Sequence, residues 1–555
     1  MPSTLNFELH TGPGGRAASD ARRADGAQPA RLLLLGDFSG RGRASGGAAS
    51  TEQVPAAARW SAKTRLVDVD NLDAVMRLMT PKLHLQVRGQ ACEFAPQSLD
   101  DFHPDQLLQN LPPLRQGLAR LQALQDPAQF ARAAAEWDSM RGSAGQAGAT
   151  SAPNPTPTAT QPPTTAAAAA AAQTSPATAD ATADAKTSAA GDLLSSLLGG
   201  KVQAAAAALA SPAPPAPPTG IEALLNSAVA GHVVPAAPAH QSAYVAAAQS
   251  ALADDLRAVL HDPAFQALEG AWRGVQLLVS RLELGATLEL HLADAALPDL
   301  LADLVAAQGR VEATALSGLF AGQGRDGGVA SEATGRPHWW AVFGLFGFGD
   351  TAVDLGLLAA LGTAAARAQT PFVATAKTEL VQAALAADTE TASDQQGWPT
   401  LRRSAVAPWL GLVSSPLLLR LPYGRRQEPV QHCDFEEITG VVEPATLLWG
   451  SGAIAAATLL GQAVGEDEAS SSIDISNRTL DNLPAWVRPD ADGEPQLQPC
   501  AGRYLSEAEA ESLQSAGLMT LLSHRRSAAV TLNRWQSIAK PLCGLTIGPG
   551  IQFPT

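Results

Sequence analysis

Residues 141–218 set the strongest limit on how this chain can fold. They consist largely of Pro, Thr, Ala and Ser, with an unbroken alanine run at Ala166–Ala172. That composition offers too little apolar surface to offset the entropy lost on ordering, so the stretch reads as a long disordered linker. Core material must then come from two blocks, residues 31–140 and residues 219–555, behind a polar, flexible N-terminus at 1–30. With 555 residues the chain is in any case too long for one hydrophobic core. Two apolar islands lie in or beside the linker. Leu193, Leu194, Leu197 and Leu198 fall on one face of a short helix, and Ile221, Leu224 and Leu225 form a second group.

In the first block, Leu32–Leu35 is a short apolar run ended by Gly36, the pattern of a buried strand. Residues 65–70 alternate, and so do Leu83, Leu85 and Val87, which predicts further strands. A leucine stripe from Leu107 to Leu124 predicts a helix continuing past Pro112-Pro113. In the second block, residues 252–282 form a helix pair. Phe265, Leu268, Trp272, Val275, Val279 and Leu282 recur in steps of three and four, and Asp262-Pro263 supplies an N-cap and a first helical residue for the second helix. Strands are expected at 288–292, 339–348, 371–374 and 417–421, with helices between them, and a terminal hairpin at 518–523 and 528–532. The alternation points to an α/β fold with a mostly parallel sheet under covering helices. Phe265, Leu268, Trp272, Trp409, Tyr423 and Trp449 are the expected core anchors.

Charge and motifs exclude more than they assign. A formal net charge of −15 argues against a nucleic-acid surface or adhesion to anionic lipid. The four cysteines are widely spaced, with no CxxC pair, so neither a disulfide framework nor a zinc site is expected. There is no signal-peptide pattern and no apolar run long enough to span a bilayer, which makes a cytoplasmic protein without membrane insertion the expectation. The glycine-rich loop at 36–43 follows a strand but lacks the phosphate-loop lysine, and reads as a turn. Asp68, Asp70 and Asp73 lack the glycine and terminal glutamate of a calcium loop. Ser451 is not in a nucleophile elbow, and none of the ten histidines forms an HExxH pair. Glu436 and Glu437 are adjacent acids, expected as a solvated or interface patch. No catalytic, cofactor-binding or metal-binding residues are assigned, and no enzyme activity is expected.

The order of several segments carries a resemblance. LHDPAFQALEGAWRGVQLLV at 260–279, Thr370–Ala374, Trp409–Leu412, LLRLPYG at 418–424, Phe435-Glu436-Glu437, Leu448-Trp449-Gly450 and the segment from Leu505 to Leu518 resemble, in order, the large subunit of the type VI secretion contractile sheath. Leu34–Gly40, Val69–Met76 and Ser98–Pro104 resemble the small subunit of that sheath. The chain therefore looks like a fusion, with two sheath-like α/β domains of mixed sheets covered by helices, a small-subunit-like one at 31–140 and a large-subunit-like one at 219–555.

The resemblance implies a mechanical role. In that family the two subunits interlock as one protomer, and protomers stack around an inner tube. Implied partners are other sheath protomers, the inner tube protein, baseplate components and an AAA+ unfoldase that grips a leucine-bearing helix. Ile221, Leu224 and Leu225, or else Leu193, Leu194, Leu197 and Leu198, are the candidates for that helix. The large subunit of the family continues beyond the region matched at 518–537, and only Leu545-Thr546-Ile547 offers a substitute linking strand. A non-polymerising accessory, such as a cap, baseplate adaptor or stack terminator, is therefore the alternative. An unrelated enzyme using the loop at Gly36 for a nucleotide is a distant third.

Overall fold

The computed structural model describes residues 29–42, 60, 62–147, 240–322, 339–386, 397–440, 444–466, 473, 475–489, 494–545 and 547. By packing, the chain divides into two compact units, Met1–Phe130 with Ala239–Thr555, and Ala131–Pro238. In the second unit the described part is helical and belongs to the helix Phe130–Ala147. Both leucine islands lie outside the described residues.

In chain order the first block contributes β1 (Ala30–Gly36), β2 (Thr64–Val67), α1 (Leu72–Met79), the hairpin β3 (Leu83–Val87) and β4 (Gln90–Phe94), α2 (Pro104–Asn110), α3 (Pro112–Gln125) and α4 (Phe130–Ala147). The second block begins with α5 (Gln241–Leu260) and α6 (Pro263–Arg281), then β5 (Leu288–Asp294), α7 (Leu297–Ala306), α8 (Ala315–Phe320), β6 (Ala341–Phe348), α9 (Ala352–Ala368), β7 (Phe372–Ala376), α10 (Thr378–Ala386) and α11 (Trp398–Arg402). It continues with β8 (Leu410–Val413), β9 (Leu417–Leu418), β10 (Trp449–Gly450), α12 (Gly452–Glu466), β11 (Arg478–Leu480), β12 (Val487–Pro489), β13 (Pro495–Leu497), α13 (Glu507–Ser515), β14 (Leu518–Met519), β15 (Leu521–Ser523) and β16 (Val530–Leu532).

The fold is mixed α/β, built on a seven-stranded sheet in the order β14-β8-β7-β6-β1-β5-β2. Every neighbouring pair is parallel except β2 with β5. The two sequence blocks do not carry separate central sheets. β1 inserts between β5 and β6, with Ala30–Gly36 in continuous register against Leu288–Asp294 and Leu32–Leu35 against Ala341–Gly344. Leu32, Leu33, Leu34 and Leu35 are fully buried, which is why this strand reads as an unbroken apolar run and does not alternate. Thr64–Val67 closes one edge of the same sheet.

Local rules place most elements. Asp262 caps α6 by accepting from the N–H groups of Ala264 and Phe265, and Pro263 stands at its first turn. The helix expected to run past Pro112-Pro113 is in fact two, because Leu111 is extended and the prolines start α3. The terminal hairpin is shorter than expected. Leu518-Met519 leaves it to pair with β8, so only Leu521–Ser523 and Val530–Leu532 form the antiparallel pair. Leu545 and Ile547 are fully buried in the chain's own core, with Trp535 Nε1–H donating to Leu545 O at 2.9 Å, so these two side chains are not presented to a neighbour as a linking strand. Among the described residues no helix is long and apolar enough to cross a membrane.

Candidate functional site: an intramolecular seam and a buried ion cluster

The seam between the two blocks is built at four places. At the C-terminal end of β1 the chain turns under Asp294, whose Oδ1 accepts from the N–H groups of Phe38 (2.9 Å) and Ser39 (3.0 Å), while Arg41 pairs with the other oxygen at 2.9 Å. Burial pushes the Asp294 carboxyl up against the pull of Arg41. Trp272 of α6 stands 5.3 Å from Phe38, ring to ring, and donates its Nε1–H to Phe38 O at 3.0 Å. The tryptophan is thus both the core anchor that periodicity indicates and a hydrogen-bond donor across the seam.

A second contact is aromatic. Phe94 and Phe102 of the first block meet Phe265 of α6 at centroid distances between 5.3 and 5.5 Å, within the range of favourable edge and tilted pairs. Third, Asp105, in the first turn of α2, accepts from the N–H groups of Gln431 (3.0 Å) and His432 (3.2 Å), and Oδ1 lies 2.8 Å from His432 Nδ1. Burial alone would raise the Asp105 carboxyl, but these hydrogen bonds outweigh it and hold the pKa below the ordinary value. Fourth, α3 and α5 lie close together. Gly117 leaves room for Leu252, since a Cβ there would stand 2.8 Å from its Cδ1. Gln241 Nε2–H donates to Leu124 O at the end of α3, and Arg88 reaches Asp255 at 2.5 Å.

Beside the seam lies a cluster of charge with almost no access to water. Arg420 is held between Glu269 (2.8 Å) and Glu437 (2.7 Å), and all three side chains are buried. Arg273 pairs with Glu269 at 2.7 Å and donates to the Tyr423 hydroxyl at 2.9 Å. The Tyr423 N–H donates to Glu437 Oε2, and the Arg420 guanidinium lies 4.3 Å from the Tyr423 ring centre. Two arginines and two glutamates make a neutral set, the condition under which buried ions are tolerated. Burial would lower Arg420 and raise Glu437. Instead, the glutamates hold Arg420 well above its ordinary value, and Glu437 stays below its own, through hydrogen bonding from His261 and the charge and hydrogen bonds of Arg420. Burial and Glu269 push the Tyr423 phenol up strongly. The ring of Tyr423 meets His103 of the first block at 5.0 Å, which ties this cluster to the seam.

The sequence-level anchors divide here. Phe265, Leu268, Trp272 and Tyr423 are fully buried, whereas Trp409 and Trp449 are half-buried and pack on the margins of core clusters. Glu437 corrects the expectation of a solvated acidic pair. Only Glu436 faces solvent, because Arg420 requires its neighbour inside. Sequence reasoning passed over Arg420 and Glu269. Their signal is a lone charge inside an apolar run, Leu419-Arg420-Leu421 and Leu268-Glu269-Gly270, which means burial and demands a partner.

At the other motifs the described contacts are local. The N–H groups of Arg41 and Gly42 donate to Asp37, so the loop after β1 closes on its own carboxylate and does not face an anion. Asp68 caps its own turn by accepting from Asp70 and Asn71. Ser451 Oγ lies 2.7 Å from Thr375 Oγ1 and has no histidine partner among the described residues. Among the described residues no group of three or more His, Cys, Asp or Glu side chains is placed to hold a metal ion.

Comparison with known proteins finds two matching stretches along the chain. Residues 242–539 match the family model of the tail sheath N-terminal domain, VipB. Residues 20–136 match the model of VipA of the type VI secretion system. The chain is similar to the type VI secretion system sheath protein TssC1 of Pseudomonas aeruginosa, with 25% identity over 310 residues. That match takes in 54% of this chain and 61% of the relative, so the chain spans less than two thirds of the relative's length.

Proposed function

We propose, from the premise that this chain belongs to the tail sheath family of type VI secretion systems, that it is a sheath protomer in which small-subunit-like and large-subunit-like blocks are fused, copies of which assemble around an inner tube. The observation that supports this reading is the place of β1. A strand from the VipA-like block is bonded on both sides by strands of the VipB-like block, so neither block has a finished sheet alone. A unit so interlocked is suited to bear load, since pulling one block from the other would break three strand ladders, β1 with β5, β1 with β6 and β2 with β5, and the aromatic seam together. Its working surfaces are then its outer faces, and the buried ion cluster acts as a positioning device inside it. Fusion keeps the two blocks at one-to-one stoichiometry and high effective concentration.

The inner tube protein, baseplate components and an AAA+ unfoldase are the further partners of this reading. The leucine islands at 193–198 and 221–225 remain the proposed grip for the unfoldase. Electron microscopy of the purified full chain tests the central claim. Tubules or stacked rings are expected. Particles that stay single at high protein concentration would sink it and favour a sheath-like accessory that does not polymerise.

A further inference from the structure

Residues 424–427 fold into a tight turn in which the N–H groups of Gly424 and Gln427 each donate to the other's carbonyl at 3.0 Å. Arg425 and Arg426 form its exposed tip. The turn is one wall of an open cleft of about 470 Å³, whose other lining includes Ile438, Trp486 and Arg488. Arg425 is neutralised by Asp434. Arg426 has no hydrogen bond or ion pair among the described residues. Arg488 donates to Gly440 O at 3.3 Å and lies 5.4 Å from the Trp486 ring centre, and has no carboxylate partner among the described residues. Two guanidinium groups thus face a partly apolar cleft, on a chain whose net charge is −15.

The complementary feature is on α13. Glu507 and Glu511 stand one helical turn apart, both exposed, and neither is paired among the described residues. Glu509 between them is already engaged by Arg503 and by the Ser506 cap. Like charges four residues apart weaken a helix, and the dipole at its N-terminal turn relieves Glu507 more than Glu511. A cationic partner from outside the chain would relieve both.

We propose that the Arg426/Arg488 cleft of one copy receives the Glu507/Glu511 face of α13 of a second copy. This rests on the reading that copies assemble, and it adds where they meet. Cleft and helix are different patches, so the contact is heterologous and repeats from copy to copy. It also gives strongly acidic copies a local attraction that sets their register.

Sedimentation of the full-length chain at low and high salt tests the contact. Four proteins are compared: the native chain, Arg426→Glu with Arg488→Glu, Glu507→Arg with Glu511→Arg, and all four changes together. The sites are on the surface, and thermal melts check that each variant folds. At low salt each double reversal is expected to weaken association by about tenfold, the combined worth of two exposed ion pairs. The fourfold variant should regain most of it, and high salt should shrink all the differences. A native chain that associates while both reversals are silent overturns this contact and leaves the assembly reading standing. Loss on the arginine side without rescue by the fourfold variant overturns α13 as the occupant. A native chain that never associates overturns both.

Discussion

The seam around β1 and the cluster around Arg420 lie side by side and hold together by opposite means. At the seam, backbone ladders, leucines and phenylalanines carry most of the contact, with separate polar links such as that from Trp272 to Phe38 O between them. In the cluster, four formal charges and a phenol are taken out of water and depend on one another for compensation. Apolar burial adds up roughly atom by atom, so a seam loses stability in proportion to what is removed. A buried ion set fails as a whole, since removing one member strands the others. The first arrangement supplies strength, and the second supplies a penalty for any wrong arrangement of α6 relative to the segment 417–437.

The largest effect should come from putting a charge into the seam. Leu34→Asp places a carboxylate at a fully buried position between Leu292 of β5 and Phe343 of β6. A loss of more than about 4 kcal/mol is expected, enough to leave the chain unfolded or insoluble, as an unpaired buried charge does. Leu34→Met at the same position should cost less than about 1.5 kcal/mol, because volume is nearly conserved. Denaturant midpoints of the two variants measure the contrast. Similar midpoints would mean that β1 is not the shared strand.

These two places were unequally legible in the sequence. The apolar run Leu32–Leu35, the Asp262-Pro263 start of α6 and the inward position of Trp272 follow from periodicity and capping, which act over a few residues. That Ala30 lies opposite Leu288 does not, because register across more than two hundred intervening residues leaves no local pattern. The motif segments pointed to the right places without disclosing their reason. Glu269, Arg420 and Glu437 each sit in one of them, and only in three dimensions do the lone charges find each other. Glu437 was misplaced because adjacent acids usually share solvent, and neither neighbour in the sequence reveals a buried arginine. The hairpin β12–β13 went unnoticed because three-residue strands carry too few alternations to register.

Next in size is Arg420→Ala, expected to cost about 3–5 kcal/mol by leaving Glu437 without its arginine and Glu269 with Arg273 alone. Replacing Arg420, Glu437, Glu269 and Arg273 together with apolar residues of similar volume should recover much of that loss, which a stability curve for the quadruple variant would show. A quadruple variant no better than Arg420→Ala would mean that the cluster contributes net attraction. The pH dependence has a definite sign. Glu437 is held below its ordinary value of 4.5 in the folded chain, so its share of stability is present above that value and is lost as pH falls through the lower, folded one. Asp105 behaves in the same direction. Acid titration of the native chain against Glu437→Gln should therefore show a shallower loss for the variant.

A smaller effect separates the two roles of Trp272. Phenylalanine keeps most of the ring's packing against Phe38 and removes the bond to Phe38 O, leaving that buried carbonyl without its donor. About 1–2 kcal/mol is expected, most of it the cost of the unsatisfied acceptor. A loss nearer 4 kcal/mol would mean that indole volume matters more than the hydrogen bond.

The smallest effect should come from cutting the tether. A site-specific protease sequence placed within residues 148–238 would turn the chain into two fragments without touching β1, Phe94, Phe102 or Asp105. If the seam holds the blocks, the fragments should elute together on gel filtration and keep the melting temperature of the intact chain at high concentration. The tether would show itself only on dilution or after unfolding, because a covalent link acts through effective concentration and adds no contact of its own. Cut fragments that separate under native conditions would reverse the comparison, leaving the linker as what joins the blocks and the ladders of β1 too weak to hold them.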